Sequence, residues 1–308
     1  MPKKLNRFYP PPDNKSVIKY LDIVWCIARY GALPEDYISL EFSKRTGRQR
    51  AEFITSGNKR LFLKTFYDKD ALQILTNKNL FNVKFKDFVK RDWIFTGDST
   101  EEDIIGFIQK HGEVVVKPTS STWGMGVKVL NTSEIETLLN EVRNGTAFMI
   151  EEKLVNHPDL AALNPSSLQT LRVETCLDSK GGFHLLNVLL MIGTKKIIVS
   201  NCHSGGVMCH VNMKTGAVDA DGFNPQGWWI DKHPESGIKF IGFKVPFIQL
   251  LETYIKDVCK VMPNARYVGW DVAVTPNGFE LIEGNFCPGQ CTQTCDGVPK
   301  YNLLKSYI

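Results

Sequence analysis

Tyr267-Val-Gly-Trp-Asp-Val-Ala-Val274 and Phe279-Glu-Leu-Ile-Glu-Gly-Asn285 are the two stretches that decide how this chain folds. They predict the strands of a terminal hairpin. Residues 276–278, Pro-Asn-Gly, predict a three-residue loop with the glycine in the left-handed position. In that register Asp271 lies directly opposite Glu283, with Cβ atoms roughly 4.5–5.5 Å apart.

The hairpin carries the first candidate site. Asn285 points to the same face as Glu283 because side chains alternate along a strand. The facing carboxylates of Asp271 and Glu283 repel each other and are costly to bury without a counter-charge. A divalent cation removes both problems, and an all-oxygen set suits Mg²⁺. The alternative is a solvated outer face, on which such a pair survives at small cost.

A lysine at a strand end forms the second candidate site. Lys117 ends the valine-rich strand Val114–Pro118, and the polar loop that follows contains Gly124 and Gly126. Such a lysine can present its ammonium to phosphate oxygens while backbone N–H groups of the loop close over them. The alternative is an ordinary lysine beside a turn. Gly124-Met-Gly126 precedes a strand, so it is not a dinucleotide fingerprint.

The rest of the chain predicts helices at the front, a compact α/β lobe in the middle and a strand-rich part after Thr170. Capping boxes are expected at Ser99 with Glu102 and at Ser133 with Glu136. The helices expected are Ser16–Tyr30, Ser99–Gly112, Ser133–Gly145 and Phe247–Met262, and the strands before the hairpin are Val114–Pro118, Val127–Leu130, Phe148–Glu152, Thr170–Leu177, His184–Ile192 and Ile197–Val199. A turn is expected at Lys214-Thr-Gly216.

Composition excludes several classes of protein. Of 308 residues, 43% are hydrophobic and 23% charged, as in ordinary globular proteins. No apolar run is long enough to cross a bilayer, and Met1–Phe8 is charged with no apolar leader, so we expect a cytoplasmic protein. The first 98 residues hold 19 Lys and Arg against 11 Asp and Glu, a net +8. These charges are scattered, which favours solvated faces and an anion groove over a nucleic-acid platform.

Eight cysteines in a chain of this length do not predict a disulfide scaffold. Cys287, Cys291 and Cys295 are evenly spaced beside the hairpin. Structural zinc usually needs close cysteine pairs and a fourth ligand, so packing in a loop is the favoured interpretation.

Taken together, the motifs resemble the ATP-grasp superfamily, and more narrowly the sugar-transfer-associated ATP-grasp proteins of polysaccharide biosynthesis. The resemblance runs from about Tyr30 to the C-terminus. It is carried by the stretches Tyr30-Gly-Ala-Leu-Pro-Glu-Asp-Tyr37, Val114-Val-Val-Lys-Pro118, Ile150-Glu-Glu-Lys-Leu154, Asn164-Pro-Ser-Ser-Leu-Gln-Thr-Leu-Arg172, His203-Ser-Gly-Gly206, Lys214-Thr-Gly216, His233-Pro234, Gly269-Trp-Asp271 and Glu283-Gly-Asn285.

The resemblance implies an α+β fold of ATP-grasp architecture. A small α/β lobe and a larger antiparallel-sheet lobe would clamp the nucleotide behind a helical N-terminal region. The implied domains are residues 1–98 (helical region), 99–155 (small lobe with the phosphate loop) and 156–308 (large lobe with the metal-binding hairpin).

The resemblance also implies roles for individual residues. Lys117 would hold the α- and β-phosphates, and Lys78 would be the earlier nucleotide-facing lysine, with Lys84 as its competitor. Arg172 would face the γ-phosphate and the acyl phosphate. The other implied nucleotide contacts are the loop residues Ser120, Gly124 and Gly126, the hinge residues Glu151, Glu152, Lys153 and Leu154, and Asp159 at the ribose. Asp271, Glu283 and Asn285 would bind two Mg²⁺, which Mn²⁺ can replace, with Glu283 bridging.

The implied activity is that of an ATP-dependent carboxylate–amine ligase working through an acyl phosphate. Its partners would be small or glycan-linked carboxylates and amines, with no nucleic acid and no membrane span. A kinase that phosphorylates a hydroxyl needs the same parts and remains an alternative. A non-catalytic nucleotide-binding module and a nucleic-acid-binding protein are further alternatives. The intact Asp271, Glu283 and Asn285 disfavour the module.

Overall fold

The computed structural model describes residues 14–119, 126–194 and 205–308. Helices precede and flank two antiparallel sheets. The helices are α1 (Asn14–Tyr30), α2 (Pro34–Ser39), α3 (Gly47–Arg50), α4 (Arg60–Phe66), α5 (Lys69–Thr76), α6 (Lys78–Lys84), α7 (Glu101–His111), α8 (Ile135–Arg143), α9 (Pro158–Leu163), α10 (Leu251–Val261), α11 (Thr292–Cys295) and α12 (Tyr301–Lys305). The strands are β1 (Trp93–Phe95), β2 (Glu113–Pro118), β3 (Lys128–Asn131), β4 (Phe148–Glu152), β5 (Thr170–Leu177), β6 (Phe183–Ile192), β7 (Val207–Asn212), β8 (Ala217–Val218), β9 (Gly222–Asn224), β10 (Trp228–Ile230), β11 (Tyr267–Thr275) and β12 (Gly278–Phe286).

The small sheet has the strand order β1-β4-β2-β3 and is antiparallel throughout. Helices α7 and α8 pack against it through the buried Ile104, Ile108, Leu138 and Leu139. β1 lies before Asp98, so the four-stranded sheet includes a strand from the stretch assigned to the N-terminal region.

Both expected capping boxes of this lobe form at other residues. Thr100 and Asp103, one residue beyond Ser99 and Glu102, cap α7. Asn131 and Glu134 form the second box, at the start of a 3₁₀ turn that leads into α8. Several Ser, Thr, Asn and acidic residues compete for these positions, so the two sequence assignments were wrong.

The large sheet has the order β10-β9-β7-β6-β5-β11-β12, with β8 paired to β7. Trp270 marks one face of it: this residue is fully buried and its ring meets Phe85 edge-on at 5.5 Å between centroids. A Cβ added at Gly284, the partner of Trp270, would meet Leu75 at 2.8 Å, so this face packs closely against the front helices. The opposite face, which carries Asp271, is therefore the one available for a polar site.

The terminal hairpin has the expected pairing of Asp271 with Glu283, but its loop differs from the expected one. Thr275 pairs with Gly278, so the loop is Pro276-Asn277 and the expected three-residue loop was wrong. A β-bulge follows, with two residues of β12 opposite one of β11, and restores the pairing of Asp271 with Glu283. The predicted opposition of the two carboxylates is confirmed.

Helix α1 forms as expected and ends at Tyr30, just before Gly31, whose φ is +63°. Of the side chains described in residues 19–30, Ile23 and Cys26 are buried, whereas Leu21 and Val24 of the expected apolar stripe are 66% and 61% exposed. No helix among the described residues is long and apolar enough to cross a membrane. The strand expected at residues 197–199 lies outside the described residues.

Candidate active site

Asp271, Glu283 and Asn285, here called the hairpin triad, converge on the face opposite Trp270. The Asn285 amide nitrogen donates to Asp271 Oδ2 and to Glu283 Oε1, each at 3.2 Å. The strand pairing therefore brings the two carboxylates and the amide into one cluster, as the sequence predicts.

Arg172 joins this cluster from the neighbouring strand. It pairs with Asp271 across β5 and β11, and its Nε and Nη2 donate to Asp271 Oδ1 and Oδ2 at 2.5 and 3.1 Å. Burial opposes the charge on Arg172, but the carboxylate of Asp271 raises its pKa. The guanidinium thus stays charged beside the triad.

The triad fits a hard divalent cation. Burial raises the pKa of Asp271 to about 6, Arg172 opposes the rise, and the nearby charge of Glu283 adds to it. Burying two neighbouring carboxylates is costly, and a bound cation would offset that cost. Their oxygen atoms are the ligands that Mg²⁺ prefers. The side chain of Asp271 is 14% exposed, so the cluster is not the solvated outer face of the alternative interpretation.

Lys117 lies in the small lobe, paired with an acid from the next strand. Its Nζ is 2.5 Å from Glu151 Oε2. Burial opposes ionisation of Glu151, yet the charges of Arg91 and Lys117 hold its pKa well below the ordinary value. The side chain of Glu151 therefore orients Lys117, a role that the expected hinge contact did not include.

Arg91 is a residue that sequence reasoning missed. Its guanidinium is 1% exposed and binds Glu151 of β4 and Glu280 of β12, at 2.9 and 3.2 Å. It also donates to the carbonyl of Leu281 at 2.8 Å. Arg91 thereby joins the small sheet to the strand that carries Glu283. A lone arginine before a short strand carries no sequence signal for this.

The structure distinguishes between the two candidate lysines of α6. Lys78 is half-buried, and its Nζ donates to the carbonyl of Pro118 at 3.3 Å. Burial lowers the pKa of Lys78, Glu283 opposes the change, and Lys117 adds to it. Lys84 is exposed. Lys78 thus lies near the end of β2 and within reach of the charge of Glu283.

The phosphate loop is described only at its two ends. Ser120 and Gly124 lie outside the described residues. Gly126 has φ +75°, and a Cβ there would lie 2.9 Å from Pro118 Cγ. Gly126 therefore lies close to the end of β2, at a position that favours glycine.

The side chains of the other hinge candidates and of Asp159, the ribose candidate, make contacts of their own. Lys153 is exposed and pairs with Glu113 at 2.7 Å. Asp159 is 65% exposed, with its carboxylate 3.6 Å from His157 Nδ1. Glu152 accepts a hydrogen bond from the backbone N–H of Asp92 at 3.1 Å. Leu154 is half-buried.

The motif that leads into β5 is a buried hydrogen-bond network. Gln169 donates to the carbonyl of Asn164 at 2.9 Å and accepts from the backbone N–H of Gly193 at 3.1 Å. The carbonyl of Gly193 also receives Asn164 Nδ2 at 2.8 Å and lies 2.9 Å from His233 Nε2. These contacts fix the start of β5 and so position Arg172.

A buried ion pair lies beneath the triad on the same face. Glu174, two residues after Arg172, is 3.3 Å from Lys300, and both side chains are fully buried. Lys300 also contacts Asp296 at 2.6 Å. Burial opposes the charge on Lys300, but Glu174 and Asp296 raise its pKa. Sequence reasoning missed this pair because its members are 126 positions apart.

The three evenly spaced cysteines belong to the same C-terminal segment. Cys295 packs with Leu189 and Met208, and Cys291 lies at the edge of that apolar cluster. The backbone N–H of Cys287 donates to the hydroxyl oxygen of Tyr67 at 2.7 Å. Packing accounts for their positions, and among the described residues they form no group of converging metal ligands.

Comparisons with known proteins agree with the motifs. A family model described as sugar-transfer associated ATP-grasp matches residues 48–302, most of the chain. The curated proteins gave no match.

Several solved structures resemble the fold. D-alanyl-alanine synthetase A from Vibrio cholerae O1 biovar eltor is 12% identical, with a TM-score of 0.49 over 76% of this chain and 64% of that one. The ATP-grasp ligase PsnB with minimal precursor, Mg and ADP is 13% identical, with a TM-score of 0.43 over 75% and 60%. The ADP complex of purK, an N5-carboxyaminoimidazole ribonucleotide synthetase, is 11% identical, with a TM-score of 0.47 over 74% and 52%. The chain thus spans less than two thirds of each of these proteins.

Proposed function

This chain belongs to the sugar-transfer associated ATP-grasp family, and we propose on that premise that it is an ATP-dependent carboxylate–amine ligase. The observation that carries the proposal is the position of Lys78: its Nζ donates to the carbonyl of Pro118, the residue after Lys117, and the charges of Lys117 and Glu283 shift its pKa in opposite directions. The phosphates of a nucleotide bound between the lobes would contact the ammonium groups of Lys78 and Lys117 and would lie beside the hairpin triad. The wording of the family description supports a substrate linked to sugar transfer.

We assign the nucleotide end of the site to the small lobe and α6. Lys117 and Lys78 bind phosphate oxygens, with the loop residues Ser120, Gly124 and Gly126 beside them. Backbone groups of residues 151–154 read the adenine, and Asp159 is the proposed ribose contact. The carboxylate of Glu151 holds the Lys117 ammonium in place, with 2.5 Å between Oε2 and Nζ.

We assign the reacting end to the hairpin triad and Arg172. Asp271, Glu283 and Asn285 would hold Mg²⁺, which when bound neutralises charge on the transferring phosphoryl group. Arg172 orients the carboxylate substrate and the acyl phosphate that it forms, and stabilises the oxyanion when the amine attacks. Its pairing with Asp271 keeps the guanidinium at the triad.

Thermal unfolding with a non-hydrolysable ATP analogue tests the site, with and without Mg²⁺. A ligand that binds only the folded state raises the melting temperature. We expect the analogue to do so for the wild type in the presence of Mg²⁺, and Glu283→Gln to lose the gain. Glu252→Gln, an exposed acid on α10 paired with Lys256, is the matched control and keeps it. No shift in the wild type at saturating analogue contradicts the proposal.

A second measurement tests the reaction. Candidate carboxylates are incubated with ATP, Mg²⁺ and hydroxylamine, which traps an acyl phosphate as a hydroxamate. A ligase gives hydroxamate and free phosphate. ADP with phosphate retained on a hydroxyl product would identify a kinase instead.

A further inference from the structure

Three side chains that can bind a metal ion meet at one end of the small sheet. Asp92 comes just before β1, His111 ends α7, and Glu152 ends β4. Nε2 of His111 and one carboxylate oxygen from each acid all lie within 4.8 Å of one another. In the described part of the chain, no other three His, Cys, Asp or Glu side chains converge in this way. The nucleotide contact proposed for Glu152 uses its backbone, so its carboxylate has no part in the ligase site.

The strand pairing holds the two acids side by side. β1 and β4 are antiparallel with Trp93 opposite Glu151, so Asp92 and Glu152 follow at the same end of the two strands. The backbone N–H of Asp92 donates to Glu152 Oε2 at 3.1 Å, and the backbone N–H of Glu152 donates to the Asp92 carbonyl at 2.9 Å. Two like charges are thus fixed close together by the backbone, which favours a cation beside them.

His111 supplies a nitrogen atom that lacks a hydrogen bond. Its side chain is 13% exposed, and its ring lies against Phe107 with 4.6 Å between centroids. Nε2 is buried and makes no hydrogen bond to any described residue. It lies 3.2 Å from Asp92 Oδ2. A buried polar atom without a hydrogen bond is costly, whereas this spacing is close to the roughly 3.4 Å between two ligand atoms of a tetrahedral Zn²⁺.

Lys110 is the cation that competes for this position. Its Nζ contacts Asp92 Oδ2, and the two side chains are 65% and 49% exposed. Such a surface ion pair contributes little to stability, because solvent screens it and both side chains lose freedom. The C-terminal end of α7 also carries a partial negative charge, which favours a divalent cation there. Lys110 can therefore turn to solvent when a metal ion binds Asp92.

We propose that Asp92, His111 and Glu152 form a binding site for a transition-metal ion of the Zn²⁺ class. One imidazole nitrogen with two carboxylate oxygens suits Zn²⁺, whereas Mg²⁺ prefers oxygen ligands alone. Three protein ligands leave a coordination position for water. The bound ion joins the end of α7 to β1 and β4. This site is independent of the proposed ligase reaction.

Titration of the EDTA-treated full chain with Co²⁺, a spectroscopic substitute for Zn²⁺, tests the site. We expect the wild type to give the visible absorption of four-coordinate Co²⁺, saturating at a single ion per chain, and excess Zn²⁺ to abolish it. Asp92→Asn and His111→Gln should each lower the affinity by at least roughly 10–100-fold, the loss that even an outer partner of a metal ligand causes. Asp92 is exposed, so Asp92→Asn should leave the fold intact, as circular dichroism would show.

His184→Gln is the matched control, because His184 pairs with Asp178 at 2.9 Å away from the cluster. This variant should bind Co²⁺ as the wild type does, and so should Glu283→Gln, which alters the hairpin triad. Loss of the signal in Glu283→Gln but not in Asp92→Asn would assign the ion to the triad and overturn the proposal. A thiolate-to-Co²⁺ charge-transfer band would assign it to cysteines, with the same consequence. Absence of binding by the wild type, or equal binding by Asp92→Asn, also overturns the proposal.

Discussion

Lys117 and Glu151 are joined by an ion pair of 2.5 Å across two strands of the small sheet. Glu151 is also held by Arg91, which is itself bound to Glu280 of the large sheet. The lysine proposed to bind phosphate is therefore connected through two buried charged groups to the strand of the hairpin triad. We expect this chain of contacts to keep the two halves of the site in register.

Replacing Lys117 by methionine should weaken nucleotide binding. The substitution removes a charge-assisted hydrogen bond, worth about 1.5–3 kcal/mol, or roughly 10–150-fold in affinity. Isothermal titration with the ATP analogue and Mg²⁺ measures it. Lys128→Met is the control, because Lys128 lies on β3 and pairs with Glu141 at the surface. Equal affinities for the two variants would remove Lys117 from the phosphate site.

Replacing Glu151 by glutamine should destabilise the fold. Arg91 and Lys117 would lose a buried counter-charge, and breaking such a pair costs about 3–5 kcal/mol. Urea unfolding measures the loss. Glu113→Gln breaks an exposed pair with Lys153 and should change the free energy of unfolding by less than about 1 kcal/mol.

The effect of Glu151 should depend on pH. Its pKa in the folded state lies well below the ordinary value of 4.5, because Arg91 and Lys117 outweigh the cost of burial. A lowered folded-state pKa contributes stability that is present above the unfolded value and lost as the pH falls. The difference in unfolding free energy between wild type and Glu151→Gln should be constant at neutral pH and shrink below about pH 4.5. A difference that grows on acidification would contradict this.

Replacing Arg172 by methionine should separate binding from chemistry. The variant should still bind the ATP analogue, because the proposed contacts to the adenine, the ribose and the α- and β-phosphates lie on other residues. Hydroxamate formation from a carboxylate substrate should fall by roughly 10²–10³-fold, as on loss of an oxyanion donor. The melting temperature without Mg²⁺ should also fall, since Asp271 loses its bidentate partner. Unchanged hydroxamate formation would exclude the catalytic role.

Lys300 and Glu174 should show strong coupling. Lys300→Met leaves a fully buried carboxylate without its nearest cation, at a cost of about 3–5 kcal/mol. The double variant Glu174→Gln/Lys300→Met also removes the charge of Glu174 and should recover part of that loss, although Asp296 still lacks its partner. Urea unfolding of the two single variants and the double variant measures the coupling. Additive losses would mean that the pair does not interact in this way.

The sequence alone determined the secondary-structure elements whose formation depends on residues close together in the chain. The strands at Phe148–Glu152 and Thr170–Leu177 have the bounds that the sequence predicts. The pairing of Asp271 with Glu283 also follows from the hairpin pattern. The loop that joins the two strands does not follow from that pattern. The structure has a two-residue loop and a β-bulge in place of the expected three-residue loop, and either arrangement pairs Asp271 with Glu283.

Long-range contacts decided what the local signals leave open. The partners of Arg91 lie 60 and 189 positions away, and Glu174 meets Lys300 from the far end of the chain. The choice of Lys78 over Lys84, and which side of α1 is buried, depend in the same way on packing against distant residues. Helical and strand periodicity determine the faces of an element, because they arise from backbone geometry. Only the folded chain determines which face meets a partner, because burial and charge pairing depend on residues that the sequence separates.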